Sequence, residues 1–371
     1  MGANASGKTT FGKLLCSILN FMYGRPYLLD KKIIYDKEKH ASFTIEFAIK
    51  NSKKKISIFR LYAKFDSNYL LEETLKETTL KKTDNITKVR KRLDEQKSHY
   101  EYKKEEQDIQ LKFQSYLSSA TDKKVALIYK DIKRATSFWF LFSDDSSETK
   151  IENISDNLEL TEEILKSIDN SIKSLEIIET KIERGGGDKN PENTLPSYKI
   201  VFRNNETVTI PKSDLRQIIN QGRLSRGTLE SLYVSNIISN LLVGRNGILY
   251  LDEILPHLHT ELEIYLISKI IKQINRYYRF QFFYTTHNVD CLDMDLPIQT
   301  FIFFKRNEDG SISVVYPESI INKNDRKIKN YAVNNIFDTI PDFSPLDESF
   351  DKAIASANKK YQEYEMFKDL L

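Results

Sequence analysis

Gly2-Ala3-Asn4-Ala5-Ser6-Gly7-Lys8-Thr9 begins one residue after Met1 and decides how the rest of the chain is read. The spacing is Gly, four residues, Gly-Lys-Thr, the pattern of a phosphate-cradling P-loop. Glycines let the backbone curl so that successive N–H groups point at one anion. The Lys8 amine is suited to terminal phosphates, and the Thr9 hydroxyl to a hydrated Mg²⁺. Thr10 to Phe21 reads as the helix whose N-terminal dipole completes an anion site. Such a loop ordinarily follows a buried strand, and here only Met1 stands before it. The expectation is therefore a chain short at its N-terminus.

Composition narrows the class. With 371 residues, 40% hydrophobic and 29% charged, the chain is long enough for one or two packed domains of ordinary soluble make-up. A net charge of +3 is too balanced to argue for nucleic acid by itself. Two cysteines, Cys16 and Cys291, have neither metal spacing nor a disulfide framework, which points to a reducing cytoplasm. No run reaches the roughly 18 apolar residues of a membrane span.

Patterning gives the order of elements. Ser42–Ile49, Lys55–Phe65 and Tyr69–Leu80 read as an antiparallel meander. Lys81–Ala120 is dense in charge with sparse apolar residues (Ile86, Val89, Leu93, Tyr100), the pattern of a solvated helical arm. Ala135–Phe142 is a buried strand or helix end. Leu160–Ile182 is expected as one amphipathic helix, followed by a linker from Gly185 to Pro196 and a hairpin around Asn204-Asn205. The expected domains are 1–80 (P-loop helix and meander), 81–184 (helical insertion), 185–196 (linker), 197–317 (the rest of the core) and 318–371 (a polar tail).

Three downstream motifs bear on chemistry. Gly247–Glu253 (GILYLDE) is an apolar strand with Asp252 and Glu253 at its carboxyl end, where α/β sheets place ligands. In P-loop chemistry the first carboxylate supports Mg²⁺ and the second polarises the attacking water. Gln281–His287 (QFFYTTH) is a second such strand, delivering His287 to the same edge. Leu224–Thr228 (LSRGT) opens a helix and offers Ser225 and the Gly227 backbone to phosphate; its Ser and Thr also serve as ordinary N-caps.

Together GANASGKTT, LSRGT, LYLDEILPHLH and TTHNVDCLD, in this order, resemble the ABC-type ATPases. More narrowly, they resemble the stand-alone prokaryotic AAA-family ATP-binding proteins, which are similar to SMC-like repair ATPases and to the ATPase part of overcoming-lysogenization-defect nucleases. Phe43–Leu80 and the segment from Lys323 to Pro341 look like the same branch. The resemblance implies an α/β fold of the ABC-type P-loop class, its mixed sheet carrying an antiparallel meander and a helical insertion. It implies ATP and Mg²⁺ as ligands and a head-to-tail homodimer or higher homo-oligomer. Gly2, Asn4, Ala5, Ser6, Gly7, Lys8, Thr9 and Thr10 would hold ATP, with Ser225 and Gly227 of the partner copy closing over it. Thr9 and Asp252 would hold the metal, Glu253 would be the general base, and His287 would contact the γ-phosphate. Leu255–His259 stands where the family has its subunit-crossing loop.

By family analogy the expected role is an ATPase switch in bacterial or phage-related defence, partnered by a separate Toprim-type nuclease. One alternative is an SMC-like DNA-repair ATPase whose charged arm touches DNA. Another is an ATPase-inactive fragment, because the strand before the loop is absent.

Overall fold

The computed structural model describes residues 6–24, 40–50, 55–66, 69–104, 115, 117, 122–135, 137–142, 157–181, 194–212, 224, 228–229, 231–232, 235, 247–253, 259–277, 280–307, 309–321, 327–339 and 344–368. Its backbone divides into two compact units, Lys8–Thr286 and Met1–Gly7 with His287–Leu371.

The larger unit is built around α1 (Lys8–Met22), which is followed by a four-stranded antiparallel sheet. β1 (Ala41–Lys50), β2 (Ile56–Phe65) and β3 (Leu70–Thr79) lie in sequence order, as the alternation predicts. β2 buries every second residue, the mark of a strand with one face on a core. Phe21 of α1 meets Phe43 and Phe65 edge-on, at ring separations of 5.6 and 5.3 Å.

The segment after β3 departs from expectation. Only α2 (Ile86–Glu95) is helical, and β4 (Tyr100–Lys103) then joins β3 as the fourth strand of the meander. The described part of Lys81–Ala120 is thus no helical arm. Val89 and Leu93 of α2 are buried, each contributing on the order of 1.5–3 kcal/mol. Its charges pair with one another and with the sheet: Arg90 with Glu46, Arg60 with Glu46 and Asp94, Arg92 with Asp84. Exposed pairs of this kind contribute about 0–1 kcal/mol each, so the two apolar side chains dominate. Tyr-Glu-Tyr-Lys has the period of a strand, and both tyrosines pack on the core.

The second sheet is parallel, in the order β10-β9-β5. β5 (Ser137–Phe142) follows α3 (Lys123–Ala135), and β9 (Gly247–Asp252) is the central strand. From β9, α5 (Thr260–Tyr277) crosses to β10 (Phe280–Thr285). Phe140, Tyr250 and Phe283 occupy one register row across the three strands. The Tyr250 ring stacks on Phe140 at 5.5 Å and on Phe283 at 6.1 Å.

A third sheet, also antiparallel, holds β6 (Ile172–Lys181), β7 (Thr194–Phe202) and β8 (Thr207–Pro211), with α4 (Leu158–Ile168) before it. The single helix expected over Leu160–Ile182 is corrected here: α4 ends at Ile168. Asp169 caps it, and its carboxylate accepts from the Ser171 amide at 2.9 Å. A bulge between Ile172 and Ser174 sends both Ile172 and Leu175 to the core. That imitates the three-residue spacing of a helix face inside a strand.

In the smaller unit, β11 (Phe303–Arg306) and β12 (Ile312–Val315) form a hairpin. Leu292, Phe303, Ala332 and Phe337 make its core, with the Phe303 and Phe337 rings stacked at 4.3 Å. The stretch after Tyr316, expected as a polar tail, contains α6 (Pro317–Ile320), α7 (Ile328–Val333) and α8 (Ser344–Lys368). Ala332 of α7 and Phe337 belong to the unit's core, whereas α8 is exposed where its side chains are described. Among the described residues no helix is long and apolar enough to cross a membrane.

Candidate functional site

Two chain segments far apart in sequence converge at the carboxyl edge of β9. Lys8 and Thr9 open α1, and Asp252 and Glu253 end the central strand. The Thr9 hydroxyl donates to Asp252 Oδ2 at 2.6 Å, and Lys8 Nζ lies 3.4 Å from Glu253 Oε1. Asp252 also accepts from the Thr285 hydroxyl of β10, at 2.6 Å on Oδ1. Asp252 is fully buried and Lys8 is 3% exposed. Burial pushes the Lys8 amine below its usual range, while Glu253 and Asp252 pull it back up. Burial likewise pushes the Asp252 carboxyl up, against the two threonine hydroxyls and the Lys8 charge. An amine, a hydroxyl and two carboxylates are thus gathered at a helix N-terminus, Lys8 and Asp252 buried and Thr9 and Glu253 half-buried.

Tyr250, two residues before Asp252, fixes the start of α1. Its phenol donates to the Lys8 carbonyl at 2.8 Å, and burial raises its pKa, so it stays a donor. Gly12 permits this approach: a Cβ there would lie 2.4 Å from Tyr250 Cε1 and 2.8 Å from Phe142 Cε1. Glu253 has φ +50°, the left-handed region, and its amide bonds the Thr285 carbonyl at 3.1 Å.

The other residues proposed from sequence are placed less completely. Thr10 is exposed on the first turn of α1, and His287 is exposed two residues after β10. Ser6 is buried, and its hydroxyl has no hydrogen-bond partner among the described residues. Gly7 has φ +96°, and a Cβ there would fall 2.2 Å from Ile312. Gly2, Asn4, Ala5, Ser225 and Gly227 lie outside the described residues; just beyond the last two, Thr228 and Leu229 are helical.

Sequence patterning does not single out Tyr250, Gly12, Thr285 or Glu263. The signal for the first two is a pairing: a bulky residue inside an otherwise aliphatic strand, and a glycine inside a helix. The Thr285-Thr286 doublet carries a signal of its own, since adjacent strand residues face opposite sides and meet different partners.

A family model described as "AAA domain, putative AbiEii toxin, Type IV TA system" matches residues 1–293. The chain belongs to this family. Among solved structures it is similar to the SmcHead bound to the C-winged helix domain of ScpA, at 12% identity over 85% of this chain and 87% of that one, with a TM-score of 0.38. No curated protein matches the sequence.

The buried carboxylate gives a pH prediction. Because folding raises the Asp252 pKa, its associated stability is full below the unfolded carboxylate value. That stability is lost as pH rises through the folded value. Asp252→Asn is therefore expected to melt higher than the wild type without nucleotide, by a margin that widens as pH rises from about 4, the unfolded carboxylate value, toward neutral. Thermal melts across that range check it. A margin independent of pH would exclude Asp252 as the origin.

Proposed function

We propose that the chain is a Mg²⁺-dependent ATPase of the ABC type that works as a dimerising switch. The observation that supports this reading most is the convergence of Lys8 and Thr9 on Asp252 and Glu253, with a 2.6 Å hydrogen bond between Thr9 and Asp252. This donor set fits a magnesium nucleotide. The Lys8 amine and the α1 N-terminus suit phosphate oxygens. The Thr9 hydroxyl and Asp252 carboxylate suit a small hard cation, held directly or through water.

Bound Mg-ATP would supply a γ-phosphoryl group whose charge the metal helps to neutralise. The chain's own residues do the rest. Lys8 exchanges its pairing with Glu253 for a phosphate oxygen, which leaves the Glu253 carboxylate free to take a proton from an attacking water. The Lys8 charge and two hydroxyls oppose the burial that pushes the Asp252 carboxyl up. Tyr250 holds the first turn of α1 so that Lys8 and Thr9 keep their alignment. Ser225 and Gly227 of a second copy would complete the phosphate surface, and His287 would read the γ-phosphate.

The family description bears on the biological role. We place the switch in an anti-phage defence system with a separate Toprim-type nuclease as effector, acting in the cytoplasm. The decisive experiment compares wild type with Lys8→Ala for ATP binding and phosphate release, and both for protection of cells against phage. Wild-type turnover lost in Lys8→Ala supports the reading, whereas equal turnover in the two chains would refute it. Turnover without protection would redirect the role toward DNA repair.

A further inference from the structure

The first turn of α5 carries two acids that behave differently. Glu261 is exposed and pairs with His259 at 2.8 Å, an arrangement that already complements the helix dipole. Glu263 is 4% exposed. Its Oε1 accepts from the Thr286 hydroxyl at 3.1 Å and also from the Tyr284 phenol. Its backbone N–H bonds the His259 carbonyl at 3.0 Å. One residue therefore closes the entry to α5 with its main chain and grips the end of β10 with its side chain.

Burying a carboxylate is costly unless donors satisfy it, and an aliphatic residue would fill the same space without that cost. The location gives the acid a purpose. Thr285 bonds Asp252 on one side of β10, and Tyr284 and Thr286, on the opposite side by strand alternation, bond Glu263. The end of β10 is thus clamped between two carboxylates, one on the strand that carries Glu253 and one on the helix that follows it. The next residue in the chain is His287.

We infer that Glu263 is a positioning residue for ATP turnover, fixing Thr286 and with it the carboxyl end of β10. The inference rests on the ATPase reading above. It concerns rate, not affinity, because the Glu263 carboxylate acts through Tyr284 and Thr286 at the end of β10.

The test uses the full chain with steady-state ATP hydrolysis and, separately, equilibrium binding of ATP. Thr286→Val removes one donor with little change of volume and is expected to lower kcat about tenfold to a hundredfold, the scale of a small misplacement of reacting groups. ATP affinity should stay within about twofold of wild type, since only transition-state geometry is disturbed. Glu263→Ala should do the same or more. Glu263→Gln keeps a carbonyl that accepts from both hydroxyls and should restore most of the rate.

Wild-type kcat in Thr286→Val overturns the inference, and so does a Glu263→Gln chain as slow as Glu263→Ala. So does a fall in kcat that merely tracks the folded fraction measured by ATP-binding stoichiometry. If Glu263→Ala fails to fold, Thr286→Val and Glu263→Gln still decide. A wild-type chain without turnover refutes the ATPase reading and this inference together, whereas normal wild-type turnover with unaffected variants refutes this inference alone.

Discussion

Glu253→Gln is expected to slow ATP turnover by about 10²–10⁴-fold, the usual contribution of a general base, while ATP binding persists. The side chain keeps its shape, but the amide cannot take a proton from water. The structure adds a second consequence. Glu253 is a charge partner of Lys8, and its negative charge opposes the burial that lowers the Lys8 pKa. Without it, the nucleotide-free Lys8 ammonium loses part of its compensation, and phosphate oxygens become its best remaining partner. Glu253→Gln should therefore bind ATP at least as tightly as wild type and accumulate as the ATP-loaded dimer. Single-turnover phosphate release and sizing with and without ATP measure both effects. Wild-type turnover in this variant would remove Glu253 from the chemistry.

Gly12→Ala should destabilise the fold by about 1–3 kcal/mol, the usual cost of overpacking a core. The sign is the informative part. In an unconstrained helix interior the same change is favourable by about 1 kcal/mol. Here the new methyl would lie 2.4 and 2.6 Å from two carbons of the Tyr250 ring. That ring is held in a row by Phe140 and Phe283, so it has no easy retreat. Moving it would also pull the phenol from the Lys8 carbonyl. Urea unfolding of Gly12→Ala, Tyr250→Leu and the double variant checks the coupling. With the ring gone, the alanine should become neutral or stabilising, and a stabilised single variant would contradict the close approach.

What the sequence disclosed depended on how local each signal was. The meander was legible because three strands alternate cleanly and are joined by short polar turns. β9 and β10 were legible because a short apolar run ending in polar residues has few other homes in an α/β chain. The stretch from Asp169 to Ile172 misled because a bulge put Ile172 and Leu175 on one face, a spacing that belongs to helices. The charged segment after Thr79 misled for a different reason: Arg90 pairs with Glu46 of the sheet and Arg92 donates to the Thr79 carbonyl, and only Val89 and Leu93 announce the packing.

At the site, Lys8, Thr9, Asp252 and Glu253 follow from motif spacing. Tyr250, Gly12 and Glu263 do not, because their importance lies in contacts between segments hundreds or tens of residues apart. A phenol reaching a carbonyl 242 positions away leaves no periodicity to read.

The backbone of Glu253 sits at φ +50°, where a side chain costs about 1–2 kcal/mol relative to glycine. A selection for thermal stability alone, run on a library at this position, should enrich glycine or asparagine over the native acid. Retaining glutamate under such a screen would require a second pressure applied at the same time. Position 253 is thus a place where folding and the proposed chemistry ask for different amino acids, and competition between variants under one demand or the other would separate them.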